Sequence, residues 1–385
     1  MNYSKKLLVP LLILSFAAFP VSAFAKDAPA TASLDLSNVN VVHQESQEVA
    51  KNKLAIILDV AKNAVAEERR SKVSLARVSD QSTYDYITFD DQYTYFYEEA
   101  ANQEPQLIVV DKAETNVESL LSQDLNDSSF NTAAATAGTG FVTDGVGGRI
   151  NVTTTGSAGS YLMALMSLPE VNSSVVSLDR PTHIAFNYGG FEYTSTSTGG
   201  IGSWAADMGL ELYNNLGPSS TSYAWKPVII LKKKNRVTTT KDSGWDQYAT
   251  AFASGYDQVQ NKNGYKPGTS PLIYWWYNYN GKVRMKIDGW AISPNLGGYS
   301  LSDTNLITIL ESSASWNIPS ISRWKLLSTV VSNDDTGKNS TTFSSLQLNG
   351  AALASGALSS PQNDHSNVTV NSSTSVSIVV NSSIY

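Results

Sequence analysis

The stretch Leu272–Trp290, LIYWWYNYNGKVRMKIDGW, decides the reading of the fold. Asn280-Gly281 is the preferred pair for a two-residue type I′ turn, because both central positions need positive φ. The runs on either side are rich in aromatic and β-branched residues, which suit a pleated, half-buried strand. A two-residue loop fixes the register, placing Tyr279 opposite Lys282, Tyr277 opposite Arg284 and Trp275 opposite Lys286. Side chains alternate along a strand, so one face takes Tyr274, Trp276, Val283, Met285 and Ile287 and is assigned to the core. The other takes Ile273, Trp275, Tyr277, Tyr279, Lys282, Arg284, Lys286 and Asp288 and is assigned to solvent. Aromatic rings stack on the C–H faces of sugars while charged groups bond their hydroxyls. Trp275, Tyr277 and Tyr279 beside Arg284 and Lys286 therefore form a candidate saccharide platform. The competing reading is purely structural: cation–π pairs across the strands, worth roughly 0.5–1 kcal/mol each.

Outward from the hairpin the same logic continues. In Met208–Tyr213, Met208, Leu210 and Leu212 point one way, and Glu211 and Tyr213 the other, where they could join the platform if the strands share a sheet. From about residue 139 onward, short strand candidates follow one another, among them Tyr161–Met166, Thr182–Tyr188, Trp225–Leu231, Trp324–Val331, Thr342–Leu348 and Val368–Val380. Gly, Asn, Asp, Ser and Pro separate them, the pattern of a β-sandwich or jelly roll.

The N-terminal part differs in kind. Residues 26–131 hold 19 Asp+Glu against 9 Lys+Arg and no Trp, whereas all eight Trp lie between 204 and 324. Gln44–Lys72 has helical spacing through Val49, Leu54, Ile57, Leu58, Ala61 and Val65. Tyr84–Tyr97 reads as two strands around Asp90-Asp91, Leu107–Val110 as another, and Val117–Leu125 as a second helix. The small, Gly-rich run Asn131–Gly148 reads as a linker running into the first strand of the next domain. The expected organisation is a signal peptide over 1–25, an acidic α/β segment over 26–131, and a β jelly-roll domain over 132–385.

Lys5 and Lys6, the apolar run Leu7–Phe19 and Ala23-Phe24-Ala25 carry the signal-peptide reading, with cleavage before Lys26. That run, about 13 residues, is short of the ~20 a membrane span needs. The expectation is a secreted, extracellular protein with no membrane span, from a bacterial source because the chain has no Cys. The absence of Cys excludes disulfides and thiol catalysis, and a pI near 5.1 gives no support to a nucleic-acid partner.

The strand MGLELY, the run WKPVIILKKK, the hairpin LIYWWYNYNGKVRMKIDGW and the late pair RWKLLSTVV and TTFSSLQLNG together resemble the concanavalin A-like jelly rolls of the laminin-G and legume-lectin type. They look most like uncharacterised secreted proteins of Bacillus-type bacteria, the YrpD-like group. The resemblance spans roughly residues 139–385. It implies two antiparallel sheets, a concave glycan-binding face and, in some members, bound calcium.

No catalytic residue is assigned. The laminarinase-type Glu-x-Asp-x-x-Glu strand is missing, no Gly-x-Ser-x-Gly elbow occurs, and the three His are scattered. Calcium needs only oxygen ligands, and Asp334 and Asp335 in the loop Asn333–Gly337 are the candidates, with a simple turn as the alternative. The expected function is non-catalytic: a carbohydrate-binding or cell-envelope protein taking glycan or cell-wall polymer. The alternatives are a polysaccharide-degrading hydrolase or lyase around Glu211, and a structural extracellular-matrix protein.

Overall fold

The computed structural model describes residues 39–43, 49–76, 82–90, 92–111, 142, 145–153, 160–178, 182–214, 223–235, 237, 245–252, 263–295, 298–312 and 315–385. The signal-peptide stretch, the helix expected over Val117–Leu125 and nearly all of the linker before Gly145 lie outside those residues.

In chain order, β1 (Asn40–His43) and helix α1 (Lys51–Ala76) precede β2 (Thr83–Phe89), β3 (Tyr93–Glu99) and β4 (Gln106–Asp111). Next come β5 (Gly145–Val152), β6 (Tyr161–Met166), β7 (His183–Tyr193), β8 (Trp204–Asn214), β9 (Tyr223–Lys234) and β10 (Trp245–Phe252). After β11 (Gly264–Tyr265) the chain forms β12 (Leu272–Tyr279), β13 (Lys282–Asn295), β14 (Gly298–Ser312), β15 (Arg323–Ser332) and β16 (Lys338–Leu348). It closes with β17 (Ala351–Ala352), β18 (Gln362–Asp364), β19 (Ser366–Ser372) and β20 (Ser375–Asn381).

These strands pair in two long runs. The first is β1-β4-β3-β2-β14-β13-β12-β6-β16-β20-β19 and the second is β18-β5-β15-β7-β8-β9-β10. The short β11 pairs with both β9 and β13, so the runs join into one sheet that nearly closes into a barrel. Pairing is antiparallel apart from β1 with β4 and β2 with β14. The fold is mainly β, as expected.

One apolar core fills the space between the runs, with Trp275, Tyr277, Phe191, Trp324, Met208 and Ile378 all buried within it. A second core lies on the other side of the first run, where α1 covers the sheet. Leu54, Leu58, Ala61 and Val65 of α1 pack there with Tyr84, Tyr86, Tyr95, Tyr97, Ile307 and Ile309. These helix residues follow the spacing read from the sequence, and the two strands around Asp90 also form as expected.

The glycine run leads into a strand as expected, and its last four residues, Gly145–Gly148, already belong to that strand. β5 begins at Gly145 and pairs with β15 along its length. A Cβ on Gly148 would sit 2.6 Å from Ile378 and 2.7 Å from Val368, so the glycine is there for close packing rather than flexibility. The N-terminal segment is likewise woven in: β2 makes seven residue pairs with β14, from Thr83 with Leu306 to Phe89 with Ser312.

Candidate functional site

The hairpin forms its turn as expected, with φ of 52° at Asn280 and 88° at Gly281. Its register does not run as expected. Tyr279 pairs with Lys282, but Trp276 then pairs with Arg284, Trp275 with Met285 and Tyr274 with Lys286. A bulge between Trp276 and Tyr279 causes this. Asn278 Oδ1 accepts the Gly281 N–H at 2.9 Å, and its Nδ2 donates to the Ile318 carbonyl at 2.8 Å, so this residue turns away from the ladder. An extra residue in one strand moves every side chain beyond it to the opposite face.

The aromatic assignment on β12 is therefore inverted. Trp275 and Tyr277, expected at the platform, are fully buried in the core. Trp275 Nε1 donates to the Met208 carbonyl at 2.8 Å, and Tyr277 packs 6.0 Å from both Phe191 and Trp324. Tyr274 and Trp276, expected in the core, lie half-buried on the outward face. Their rings are 5.5 Å apart and 12° from parallel. Tyr161, opposite Trp276 on β6, lies 5.8 Å from Tyr274 and 5.4 Å from Trp276. Tyr279 meets Trp276 edge-on at 5.5 Å. An aromatic step exists, built by Tyr161, Tyr274, Trp276 and Tyr279. Only Tyr279 of the expected rings belongs to it.

Arg284 and Lys286 both lie beside the step. Arg284 sits 4.2 Å from the Tyr279 ring and Lys286 4.8 Å from the Tyr274 ring. Lys286 Nζ donates to Glu68 of α1 at 2.7 Å. Glu311 accepts from Lys282 Nζ at 2.6 Å and from the Tyr86 hydroxyl at 2.7 Å, and its other oxygen lies 3.7 Å from Arg284 Nε. Burial and the neighbouring Glu311 push the Tyr86 hydroxyl far up, so it stays a donor. Arg284 is almost wholly buried, against the expectation of a solvated group.

Glu211 and Tyr213 do not join the step. They lie on β8 on the face opposite Met208, and Met208 faces β12. Glu211, expected in solvent, is fully buried and pairs across the ladder with Lys226. Asp334 and Asp335 form a turn: Asp334 Oδ1 accepts the Thr336 hydroxyl at 2.7 Å, and Asp335 has φ of 54°. Among the described residues, no three His, Asp or Glu side chains are grouped so as to hold a metal ion. None of the described helices is long and apolar enough to cross a membrane.

Sequence reading missed a second charged group altogether. Asn263 Nδ2 lies 2.9 Å from one oxygen of Asp85 and 2.7 Å from Glu98, and Lys226 feels Asp85, Glu98 and Glu211. Burial and the Glu98 carboxylate hold Asp85 well above the usual carboxylate range. Burial lowers Lys226 from 10.5 to about 7, against the pull of the three acids. Between those values the unfolded lysine binds a proton that the folded one does not. Its contribution to stability therefore falls as pH drops from about 10 to 7 and levels off below. Asp85 acts in the opposite sense, losing stability as pH rises through its own titration. We expect wild type to gain stability relative to Lys226→Met as pH rises from 7 to 10 in urea titrations. A difference that is flat across that range would contradict this assignment.

With this geometry in place, comparison with known proteins gives a family. Residues 140–380 match the family model described as "Domain of unknown function, YrpD". The chain belongs to the YrpD family. One relative is the uncharacterized protein YrpD of Bacillus subtilis (strain 168), 28% identical over 216 residues, covering 55% of this chain and 73% of the relative. Two solved structures share 12% identity, each covering 61% of this chain and 97% of its own, with a TM-score of 0.31. They are SCP-B, an Eqolisin-family peptidase in complex with the tripeptide Ala-Ile-His, and scytalido-glutamic peptidase with a peptide-based transition-state analogue. The YrpD match contains the whole aromatic step and both basic rim residues, whereas α1 and β1 to β4 precede it.

Proposed function

We propose that this chain is an exported, non-catalytic saccharide-binding protein on a concanavalin A-like jelly roll, which takes glycan or cell-wall polymer on the step Tyr161–Tyr274–Trp276–Tyr279. One observation carries the reading: four neighbouring rings, with centroids 5.4 to 5.8 Å apart, stand half-buried on the outward face of the sheet. Such a group keeps apolar ring surface in contact with water, which a sugar's C–H face can cover. Tyrosine hydroxyls and the basic rim supply partners for its hydroxyls.

A glycan array probed with the Lys26–Tyr385 chain tests this, with Trp276→Ala as the control. The expected result is specific binding that weakens about tenfold or more in Trp276→Ala, the loss typical of a central aromatic anchor. Binding that Trp276→Ala leaves unchanged would remove the step from the account. A polysaccharide-degrading enzyme around Glu211 is the competing reading, since Glu211 lies with Asp85 and Glu98 around Lys226. Reducing ends released by wild type but not by Glu211→Gln would favour it.

A further inference from the structure

The step is one end of a larger outward surface. Beyond Tyr161 the sheet continues through β6, β16, β20 and β19, and the outward side chains there change character. On β19 and β20, Val368, Val376, Ile378 and Val380 point into the core. The residues between them point out. Thr369 is paired with Ser377 and Ser377 with Thr342, and Asn367 is paired with Val379 and Val379 with Ser340. Ser344 carries the surface on to Leu165 of β6, next to Leu272 of β12.

Two features of this surface point to one class of ligand. The first is its chemistry. Among the described outward positions of β19, β20, β16, β6 and β12, Lys338 at the far end is the only charged side chain. Hydroxyls and amides make up most of the rest of the far half, with the exposed Val379 among them, and several lie close enough to bond one another. Thr342 Oγ1 is 3.0 Å from Ser377 Oγ, which also accepts from Asn371 Nδ2 at 2.8 Å. Where the step meets charge, the cations are already paired: Lys286 with Glu68, and Lys282 and Arg284 with Glu311. A carboxylated or sulfated polymer would have to compete with those carboxylates, whereas uncharged hydroxyls need not. The second is its extent. Strands lie ~4.8 Å apart, so the four intervals from β12 to β19 span about 19 Å across the sheet. The field is offset along the strands as well, since Tyr161 lies four residues along β6 from Leu165, the partner of Ser344, and the diagonal between them has room for several sugar rings.

We propose that this face binds a long, uncharged polysaccharide, which crosses the strands from the aromatic step onto the Ser/Thr/Asn field of β16, β20 and β19. The inference rests on the step being the saccharide site and adds what that site is made for. Rings anchor one stretch of the chain, and the field bonds the hydroxyls of the next. Length is thereby selected as well as sugar type, because a short oligosaccharide reaches only the step.

The test measures binding of the Lys26–Tyr385 chain to neutral glucan, xylan and mannan, each as polymer and as trisaccharide, with polygalacturonate and alginate as acidic counterparts. Trp276→Ala and the double variant Thr342→Arg/Thr369→Arg are measured beside wild type. Both field positions lie on the outward face, where a longer side chain obstructs a ligand without entering the core. The expected result is a neutral polymer bound about tenfold or more tightly than its trisaccharide, as two linked contacts act together. The double Arg variant should abolish that advantage and leave trisaccharide binding unchanged, while Trp276→Ala weakens both. Equal affinity for polymer and trisaccharide, a preference for the acidic polymers, or a double variant that binds polymer like wild type each overturns the inference and leaves the step intact as a site. Trp276→Ala binding every glycan like wild type, or no binding to any of them, overturns the step itself and the inference with it.

Discussion

A chain lacking residues 26–131 is expected not to fold. The sequence divides into an acidic, Trp-free part and a Trp-bearing part, yet the backbone sews them together. β14, Gly298–Ser312, has β13 on one side and β2 on the other. Without β2 it becomes an open edge, the arrangement that invites aggregation. Ile307 and Ile309, buried beneath α1, would face water together with the outward residues beside them. Lys226 would keep Glu211 and lose Asp85 and Glu98. Expression of 132–385 should give insoluble protein, or a species without fixed near-ultraviolet circular dichroism. A soluble 132–385 that unfolds cooperatively at the same urea concentration as the longer chain would show the N-terminal strands to be dispensable.

Trp275→Ala should cost about 3–5 kcal/mol, as large-to-small changes at buried aromatic positions do. Trp275 fills the space between the two strand runs. A Cβ on Gly189 would already sit 2.7 Å from its ring, so the site is packed on the far side as well. Its removal leaves a cavity and also strips the Met208 carbonyl of its 2.8 Å hydrogen bond. Its neighbour Trp276, one residue along and half-buried, should lose much less on truncation. Urea midpoints of the two variants make the comparison. Trp275→Ala as stable as Trp276→Ala would mean that the bulge, and with it the inverted face, is wrong.

The contrast between these neighbours shows how far the sequence could be read. The Asn280-Gly281 turn, the apolar side of β13 and the apolar spacing of α1 are local, and each came through. Val283, Met285 and Ile287 are buried and Lys282, Lys286 and Asp288 lie outside the core, as alternation from the turn requires, while Arg284 on the outward side is itself buried, against Glu311. On β12 the same alternation failed because Asn278 bonds its own turn, and one unpaired residue reverses everything before it. The signal was present, in an amide residue two positions before Asn-Gly. A two-residue loop by itself does not say whether such a residue stays in the ladder. The parallel pairing of β2 with β14 and the grouping of Asp85, Glu98, Lys226 and Asn263 join residues more than a hundred positions apart. No spacing rule reaches that far. Glu211 looked like a solvated carboxylate because its strand alternates, yet both faces of that strand are covered.

Oxidative footprinting with and without a bound neutral polysaccharide tests the central claim most directly. Trp276, Tyr274 and Tyr161 should become protected when the polymer binds. Trp290, 52% exposed and outside the step, should oxidise equally in both states. Protection at Trp290 with none at Trp276, Tyr274 and Tyr161 would place the ligand elsewhere and contradict the account.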